Sequence, residues 1–555
     1  MQNSFHNYKN SNWFCLSGIL LISIITIVLP ILLMGFPNGG PDMMQHCKFA
    51  LAYYDSISNG IFFPGWVSDN IDYGSVGIRF YPPLPYYFLA VSKMIFGNWF
   101  DAFWINLFLW MLVGAVGVYL FAKEWVSPFT AMVASIIYAT MPYHLLQIFQ
   151  YFLYAEFIAL CILPFCFLSV TRICLYRRWI DTLLFTISYS LLILTHIPLS
   201  LIGSISLFFY VLVLIDYKNF IPTLKYLISS LCLSLGATSF YWLKVVTEIK
   251  WVAHNNTNFS EDLFGYTEWL FPISLSHHEN DLITNNAGFF DVLILLNLLL
   301  LLPAIIYLIK SREKAISVKR VILALSVTGF LAFFMTSRLS SLVWQFVPLL
   351  QKVQFPWRWI SVFSLLGILS FVISLGQLKT NYRNAKRFFI YPILIWSVSI
   401  IIFDITQIIG ATDPIPRSDF EKNMKYLPSV QSQSQWWTVW TKAEAFENKE
   451  KLSIGNRAFT IKDWSLETRE FIVDEGTEPE LRIATFYYPY WKTEINNHPA
   501  EIYQDGNGLI LLTIPNEKVK IKLYFDEPLV NRIALWLSLL IWTLLSLAIL
   551  YFGKR

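Results

Sequence analysis

Residues 13–46 read WFCLSGILLISIITIVLPILLMGFPNGGPDMMQH, and how this stretch is read decides the fold. The part from Trp13 to Met34 carries no charge. It is long enough to cross a bilayer, which takes about 20 mostly apolar residues. It is too long for a signal-peptide core, and no cleavage site is evident after it, so it is expected to stay as a first membrane helix. An acid and a histidine, Asp42 and His46, follow its end. Asp42 with Gln45 has the form of a capping box that opens the next helix. An acid at that depth also suits a substrate site, and His46, one helical turn on, can share its face.

The whole chain supports the membrane reading. Of its 555 residues 56% are hydrophobic and only 14% charged, against about 25% in soluble domains. The net charge of +4 gives no reason to expect nucleic acid as a partner. Five of the six cysteines, Cys15, Cys161, Cys166, Cys174 and Cys232, lie in or beside apolar runs, and Cys47 stands outside them. That is not a disulfide framework; in lipid a free thiol behaves as a small hydrophobe.

The length rule predicts about 12 transmembrane helices. They lie near 13–35, 101–122, 127–142, 151–172, 180–195, 198–215, 222–243, 289–310, 319–336, 357–377, 388–409 and 532–552. With the N-terminus in the cytoplasm, the short basic clusters fall on one side: Lys123, then Arg172, Arg177 and Arg178, then Lys218 and Lys225. Lys310 to Arg320, Lys379 to Arg387, and Lys554 with Arg555 follow suit. The positive-inside rule then predicts a multi-pass membrane protein with both termini cytoplasmic.

The outer segments carry the rest. Segment 36–100 is long and aromatic, with FFPGW at 62–66 and YPPLPYY at 81–87, and 83–97 has the character of an interfacial helix. Segment 410–531 is polar. In KVKIKLYF, Val519, Ile521, Leu523 and Phe525 alternate with polar residues, RIATFYY at 482–488 is a second strand candidate, and DGNG at 505–508 is a turn. The expected organisation is a transmembrane body over 1–409, a small β-sandwich-like extracytoplasmic domain over 410–531, and a last helix with a tail over 532–555.

With this topology several polar groups fall at outer helix ends: Asp42, His46, Arg79, Tyr81, His144, Glu156, His196, Glu268, His277, His278 and Arg358. Ionisable groups at membrane depth are costly and usually functional. Each also has a plain alternative. Glu156 suits a structural ion pair, Arg358 after QFPW an interfacial anchor, and His196 in THIP a hairpin tip. Adjacent histidines on a helix point about 100° apart, which argues against His277 and His278 as a simple metal pair. No P-loop, GxGxxG after a strand, HExxH or GxSxG occurs. Polar breaks at mid-membrane, expected of a transporter, are also missing from the pattern.

The order of a first helix, D-x-x-x-H, an aromatic segment with YPPLPYY, an interfacial helix and many spans resembles the GT-C superfamily of membrane glycosyltransferases. PDMMQH, FPGW, YPPL, YAEF at 154–157, THIP and QFPWR are closer still to the bacterial membrane proteins called 6-pyruvoyl-tetrahydropterin synthase-related, and YYPYWKTEINN at 487–497 resembles the β domain of YfhO-type proteins. The pterin name implies no chemistry here, because pterin synthases are soluble and hold zinc with three histidines.

The resemblance implies a GT-C-like fold and transfer of a sugar from a polyprenyl-phosphate carrier to a glycan, lipid or protein acceptor outside the cytoplasm. Asp42 matches the family's acid in the first outer loop and would act as general base. Arg358 first, then Arg79 and His46, would face the donor phosphate. Tyr81, His144, Glu156, His196, Glu268, His277 and His278 would line the substrate site. No cofactor is required by the pattern. Some GT-C enzymes use a divalent cation, but the DxD-like pair they carry has no counterpart here, so that point stays open. A non-catalytic protein that binds or translocates a lipid-linked glycan is the rival reading.

Overall fold

The computed structural model describes residues 2–37, 42–69, 73–256, 265–275, 281–310, 316–377, 414–429, 431, 433–447 and 450–552. Among them, ten helices are long and apolar enough to cross a membrane: Asn12–Met34, Trp99–Lys123, Pro128–Phe149, Tyr154–Tyr176, Ile197–Leu214, Tyr217–Ala237, Asn286–Lys310, Ser317–Thr336, Pro356–Gln377 and Leu529–Phe552. The span expected at 180–195 is the shorter apolar helix Trp179–Ile193. The one expected at 388–409 lies outside the described residues.

Local chemistry sets these elements. The first span changes to a π-helical turn at Ile24–Val28, just ahead of Pro30, which cannot donate the ordinary helical bond. Asn98 accepts the Asp101 N–H and so starts helix Trp99–Lys123; Ser127 accepts from Thr130 N ahead of Pro128. Serine and threonine hydroxyls inside the spans bond back to carbonyls one turn earlier, as Ser23 does to Ile19 at 2.9 Å and Thr171 to Phe167 at 2.7 Å. Such a bond satisfies a hydroxyl that would be costly to leave unpaired in lipid.

Two boundaries differ from expectation. The span expected at 222–243 runs Tyr217–Ala237, and Ser239–Glu248 is a separate helix. The turn expected at 143–150 is helical: the chain breaks at Thr140–Met141, and Pro142 at the first position starts helix Pro142–Phe149. Proline is pre-set for a helix start even where it ends the helix before it. The piece expected at the interface is helix Leu84–Phe96. It exposes Phe88, Val91, Met94, Ile95 and Phe96, and Lys93 reaches back to the Gly97 carbonyl at 2.7 Å.

The C-terminal β domain has nine strands: β1 Leu452–Ser453, β2 Phe459–Trp464, β3 Thr468–Val473, β4 Glu480–Phe486, β5 Trp491–Ile495, β6 His498–Ala500, β7 Tyr503–Gln504, β8 Leu509–Thr513 and β9 Val519–Phe525. They form two antiparallel sheets, ordered β1-β4-β8-β7 and β2-β3-β9-β5-β6. The alternation in β9 is real: Val519, Ile521, Leu523 and Phe525 are buried. Asp505 closes the DGNG turn by accepting from Asn507 N and Leu509 N, both at 2.8 Å.

This domain is locked to the first long segment. Glu467, between β2 and β3, accepts the N–H groups of Gly65 and Trp66 at 2.7 and 3.2 Å. Trp66 packs on Trp491 and Phe525 at 5.3 and 5.8 Å. The chain after the membrane body bridges to it as well, Ile415 with Phe36, and Thr438 bridges to Val252 of the later outer segment. One end of the helical body is therefore roofed by segment 36–100 and the β domain together.

Candidate functional site beneath the aromatic roof

Asp42 occupies the N-cap position of helix Met43–Ser58, yet its carboxylate makes no cap bond. The capping box with Gln45 therefore does not form; Gln45 Oε1 is itself buried without a partner. Asp42 is half-buried, and its carboxylate has no hydrogen-bond partner among the described residues. Burial raises its pKa to about 6; Arg358 opposes this rise and Glu156 adds to it.

His46 is buried one turn on, and its Nδ1 lies 2.7 Å from the Tyr86 hydroxyl. Burial lowers its pKa to about 3, so the ring is neutral at ordinary pH. Tyr81 stands edge-on to His46 at 5.9 Å, and Tyr154 stands edge-on at the same distance on another side. Tyr81 also meets Phe49 and Trp436, at 5.1 and 5.8 Å, so the segment leading into the β domain supplies part of the wall.

The other half comes from helix Tyr154–Tyr176 and the Pro356–Trp359 turn. Glu156 Oε2 accepts from Arg358 Nε at 3.0 Å. Glu156 Oε1 accepts from the Tyr143 hydroxyl at 2.6 Å and from Gln147 Nε2 at 3.1 Å. Arg358 Nη1 donates to the Val353 carbonyl at 2.6 Å and to Gln354 Oε1 at 3.1 Å. Its guanidinium sits over Phe355 and Trp357 at 5.1 and 5.8 Å. Gln354 (φ +70) and Phe152 (φ +53) hold left-handed backbone conformations, which non-glycine residues rarely adopt away from constrained sites.

His196 caps helix Ile197–Leu214: its Nδ1 accepts from Leu199 N at 3.3 Å. A neutral ring bonded in this way carries its proton on Nε2. Arg358 and His46 both lie within electrostatic range of it.

Asp42, His46, Tyr81, Glu156, His196 and Arg358 are thus gathered from five separate stretches of chain. The other expected residues lie apart. Arg79 is fully buried against Glu248 and Glu527. His144 packs between Tyr138 and Phe157, at 4.3 and 6.0 Å. Glu268 is half-buried in the Tyr266–Trp269 turn. His277 and His278 lie outside the described residues. Tyr86, Tyr143, Gln147, Tyr154 and Gln354 belong to the cluster but were not singled out from sequence. Tyr86, Tyr154 and Gln354 lie inside quoted motifs, YPPLPYY, YAEF and QFPWR, whereas uncharged Tyr143 and Gln147 gave no signal.

Among the described residues, no three His, Cys, Asp or Glu side chains are grouped to hold a metal ion. Two clefts of about 310 and 290 Å³ open elsewhere. One is lined by Phe63, Arg79, Tyr87, Phe240 and Lys244, the other by Lys48, Asp55, Asp69 and Leu427.

The model of the 6-pyruvoyl-tetrahydropterin synthase related domain, a membrane-protein family, matches residues 78–411, more than half of the chain. Among solved structures, apo ArnT from Cupriavidus metallidurans is similar at 12% identity and a TM-score of 0.42, over 66% of this chain and 60% of that one. The same protein bound to undecaprenyl phosphate gives 12% and 0.37, over 65% and 60%. The arabinofuranosyltransferase AftD from Mycobacteria gives 12% and 0.41, over 73% of this chain and 27% of that one. The chain therefore spans less than two thirds of each of these proteins. No curated protein matches the sequence.

Proposed function

The chain belongs to the 6-pyruvoyl-tetrahydropterin synthase-related family of membrane proteins, and from that premise we propose that it is a membrane glycosyltransferase. It transfers a sugar from a polyprenyl-phosphate carrier to a hydroxyl of a glycan, lipid or protein acceptor. The reaction takes place on the extracytoplasmic face of a bacterial plasma membrane, with both termini in the cytoplasm.

The observation that carries this reading is the unengaged carboxylate of Asp42, within electrostatic range of an arginine that other groups hold in place. In the reaction the acceptor oxygen attacks the anomeric carbon while the bond from that carbon to the phosphate oxygen breaks. The acceptor proton passes to Asp42, and the bonding pair leaves with the phosphate. Displacement from the opposite face inverts the anomeric centre. A base with a pKa of about 6 is ionised at neutral pH yet still accepts a proton as the oxygen loses its own. Arg358 meets the negative charge that grows on the phosphate. Neutral His46, His196 and Tyr81 supply ring and hydroxyl groups for the sugar.

A second reading, binding or translocation of a lipid-linked glycan without chemistry, draws on one observation: neither cleft is lined by Asp42 or Arg358. Turnover separates the two. Purified protein in lipid is assayed with undecaprenyl-phosphate sugars beside Asp42→Asn. Release or transfer by the wild type, with a folded but silent variant, supports the enzyme. Equal activity in both removes Asp42 as the base, and silence in both across a panel of carriers supports binding or transport.

A further inference from the structure

Glu156 was expected to touch substrate, but its surroundings leave no room for that. Its side chain is 1% exposed. Its two oxygens are taken by the Tyr143 hydroxyl, Gln147 Nε2 and Arg358 Nε, with Ser361 Oγ at 3.5 Å. Those donors come from helix Pro142–Phe149 and from the start of the ninth span, and they meet on one carboxylate.

Arg358 is held at the opposite corner by the Val353 carbonyl and Gln354. Of its three guanidinium nitrogens, Nε and Nη1 are therefore engaged. Nη2 is the one with no hydrogen-bond partner among the described residues. A planar guanidinium anchored at two nitrogens cannot turn about its own plane, so its free edge has a fixed direction. Asp42, Tyr81 and His196 all lie within electrostatic range of it.

We propose that Glu156 is a positioning residue: with Tyr143 and Gln147 it fixes Arg358 so that the Nη2 edge is presented to a phosphate group beside Asp42. The proposal rests on the glycosyltransferase reading for the identity of the anion. It adds that the phosphate is recognised by a preset arginine edge rather than by Glu156 or a flexible cation. The ion pair would thus serve to orient the arginine, with Tyr143 and Gln147 satisfying the second carboxylate oxygen so that Glu156 stays in place.

The test is binding of undecaprenyl phosphate, and separately of inorganic phosphate, to the full chain in phosphatidylcholine nanodiscs. The proteins are wild type, Glu156→Gln, Arg358→Gln, the double variant, Glu156→Asp and Tyr143→Phe. Glu156→Gln and Arg358→Gln are each expected to weaken lipid-phosphate binding about tenfold or more. The double variant should be no weaker than the worse single one, because Glu156 acts through Arg358. Glu156→Asp should recover part of the loss. Tyr143→Phe leaves the ion pair intact and should lose about threefold in lipid-phosphate binding while still folding with a modestly lower thermal midpoint; these two variants decide the matter if Glu156→Gln does not fold.

Additive losses in the double variant, or wild-type affinity in Glu156→Gln, overturn the proposal. Full affinity in Arg358→Gln does so as well. A wild type that binds inorganic phosphate as tightly as the lipid keeps the positioning role but takes away the lipid as its source. A wild type that binds neither overturns the functional reading, and this proposal with it.

Discussion

Arg79 and Glu248 stand 169 positions apart in the chain, yet Arg79 Nη2 meets Glu248 Oε2 at 2.7 Å with both side chains fully buried. Glu248 also accepts from the Tyr488 hydroxyl at 2.8 Å and from Asn531 Nδ2 at 2.7 Å. Arg79 reaches Glu527, and Lys244 joins that carboxylate at 3.3 Å. The cluster thus ties together segment 36–100, the end of helix Ser239–Glu248, the β domain and the start of the last span. Removing one partner leaves the others charged and buried, at a cost of about 3–5 kcal/mol.

Arg79→Ala should therefore lower the thermal midpoint of the detergent-purified protein by several degrees and expose the β domain to proteolysis. An unchanged midpoint would show that the cluster contributes nothing to stability.

The same cluster predicts a response to acid. Burial works against the charge on Glu527, but Arg79 and Lys244 outweigh it and hold its pKa at about 2. A carboxylate depressed in this way stabilises the fold fully above its unfolded value. That contribution is lost as pH falls from about 4.5 toward 2. Wild type should lose midpoint over that window, and Glu527→Gln should show a shallower dependence.

Asp42 behaves in the opposite sense. Its folded pKa of about 6 exceeds its ordinary 3.8, so ionising it costs stability as pH rises between those values. At pH 7.5 Asp42→Ala should melt no lower than wild type, whereas loss of a true N-cap would cost about 1 kcal/mol. Sugar transfer, which needs the ionised form, should rise with pH through an apparent value near 6. A flat profile from pH 5 to 8 would remove Asp42 as the base.

Two changes at His196 separate its roles. Nδ1 caps helix Ile197–Leu214 while Nε2 carries the remaining proton. His196→Ala should cost about 0.5–2 kcal/mol through the lost cap. His196→Asn keeps a cap acceptor and should hold stability while lowering transfer. Wild-type activity in both variants would leave His196 as a helix cap alone.

Gly74 tests the roof. Its φ is +91, and a Cβ there would overlap the Trp66 indole that packs against Trp491 and Phe525. Gly74→Ala should cost more than about 1 kcal/mol and loosen the contact between segment 36–100 and the β domain. Wild-type melting and protease resistance would contradict this.

The sequence by itself determined the class of molecule, the spans and the β alternation. These follow from length, hydropathy and period, which are local properties. Ten of the twelve expected spans coincide with described apolar helices of spanning length and an eleventh with the shorter Trp179–Ile193, and KVKIKLYF is β9 with the predicted face buried. Tertiary structure alone decided what the ionisable residues do. Asp42 looked like a cap by spacing, and the backbone left its carboxylate unengaged. Arg79 and Arg358 were both expected to meet phosphate. One is enclosed by Glu248 and Glu527, while the other keeps Nη2 without a hydrogen-bond partner among the described residues and lies within electrostatic range of Asp42. Sequence could not tell them apart, because a charge takes its role from the partners it meets, and these partners lie 169 to 448 positions away in the chain.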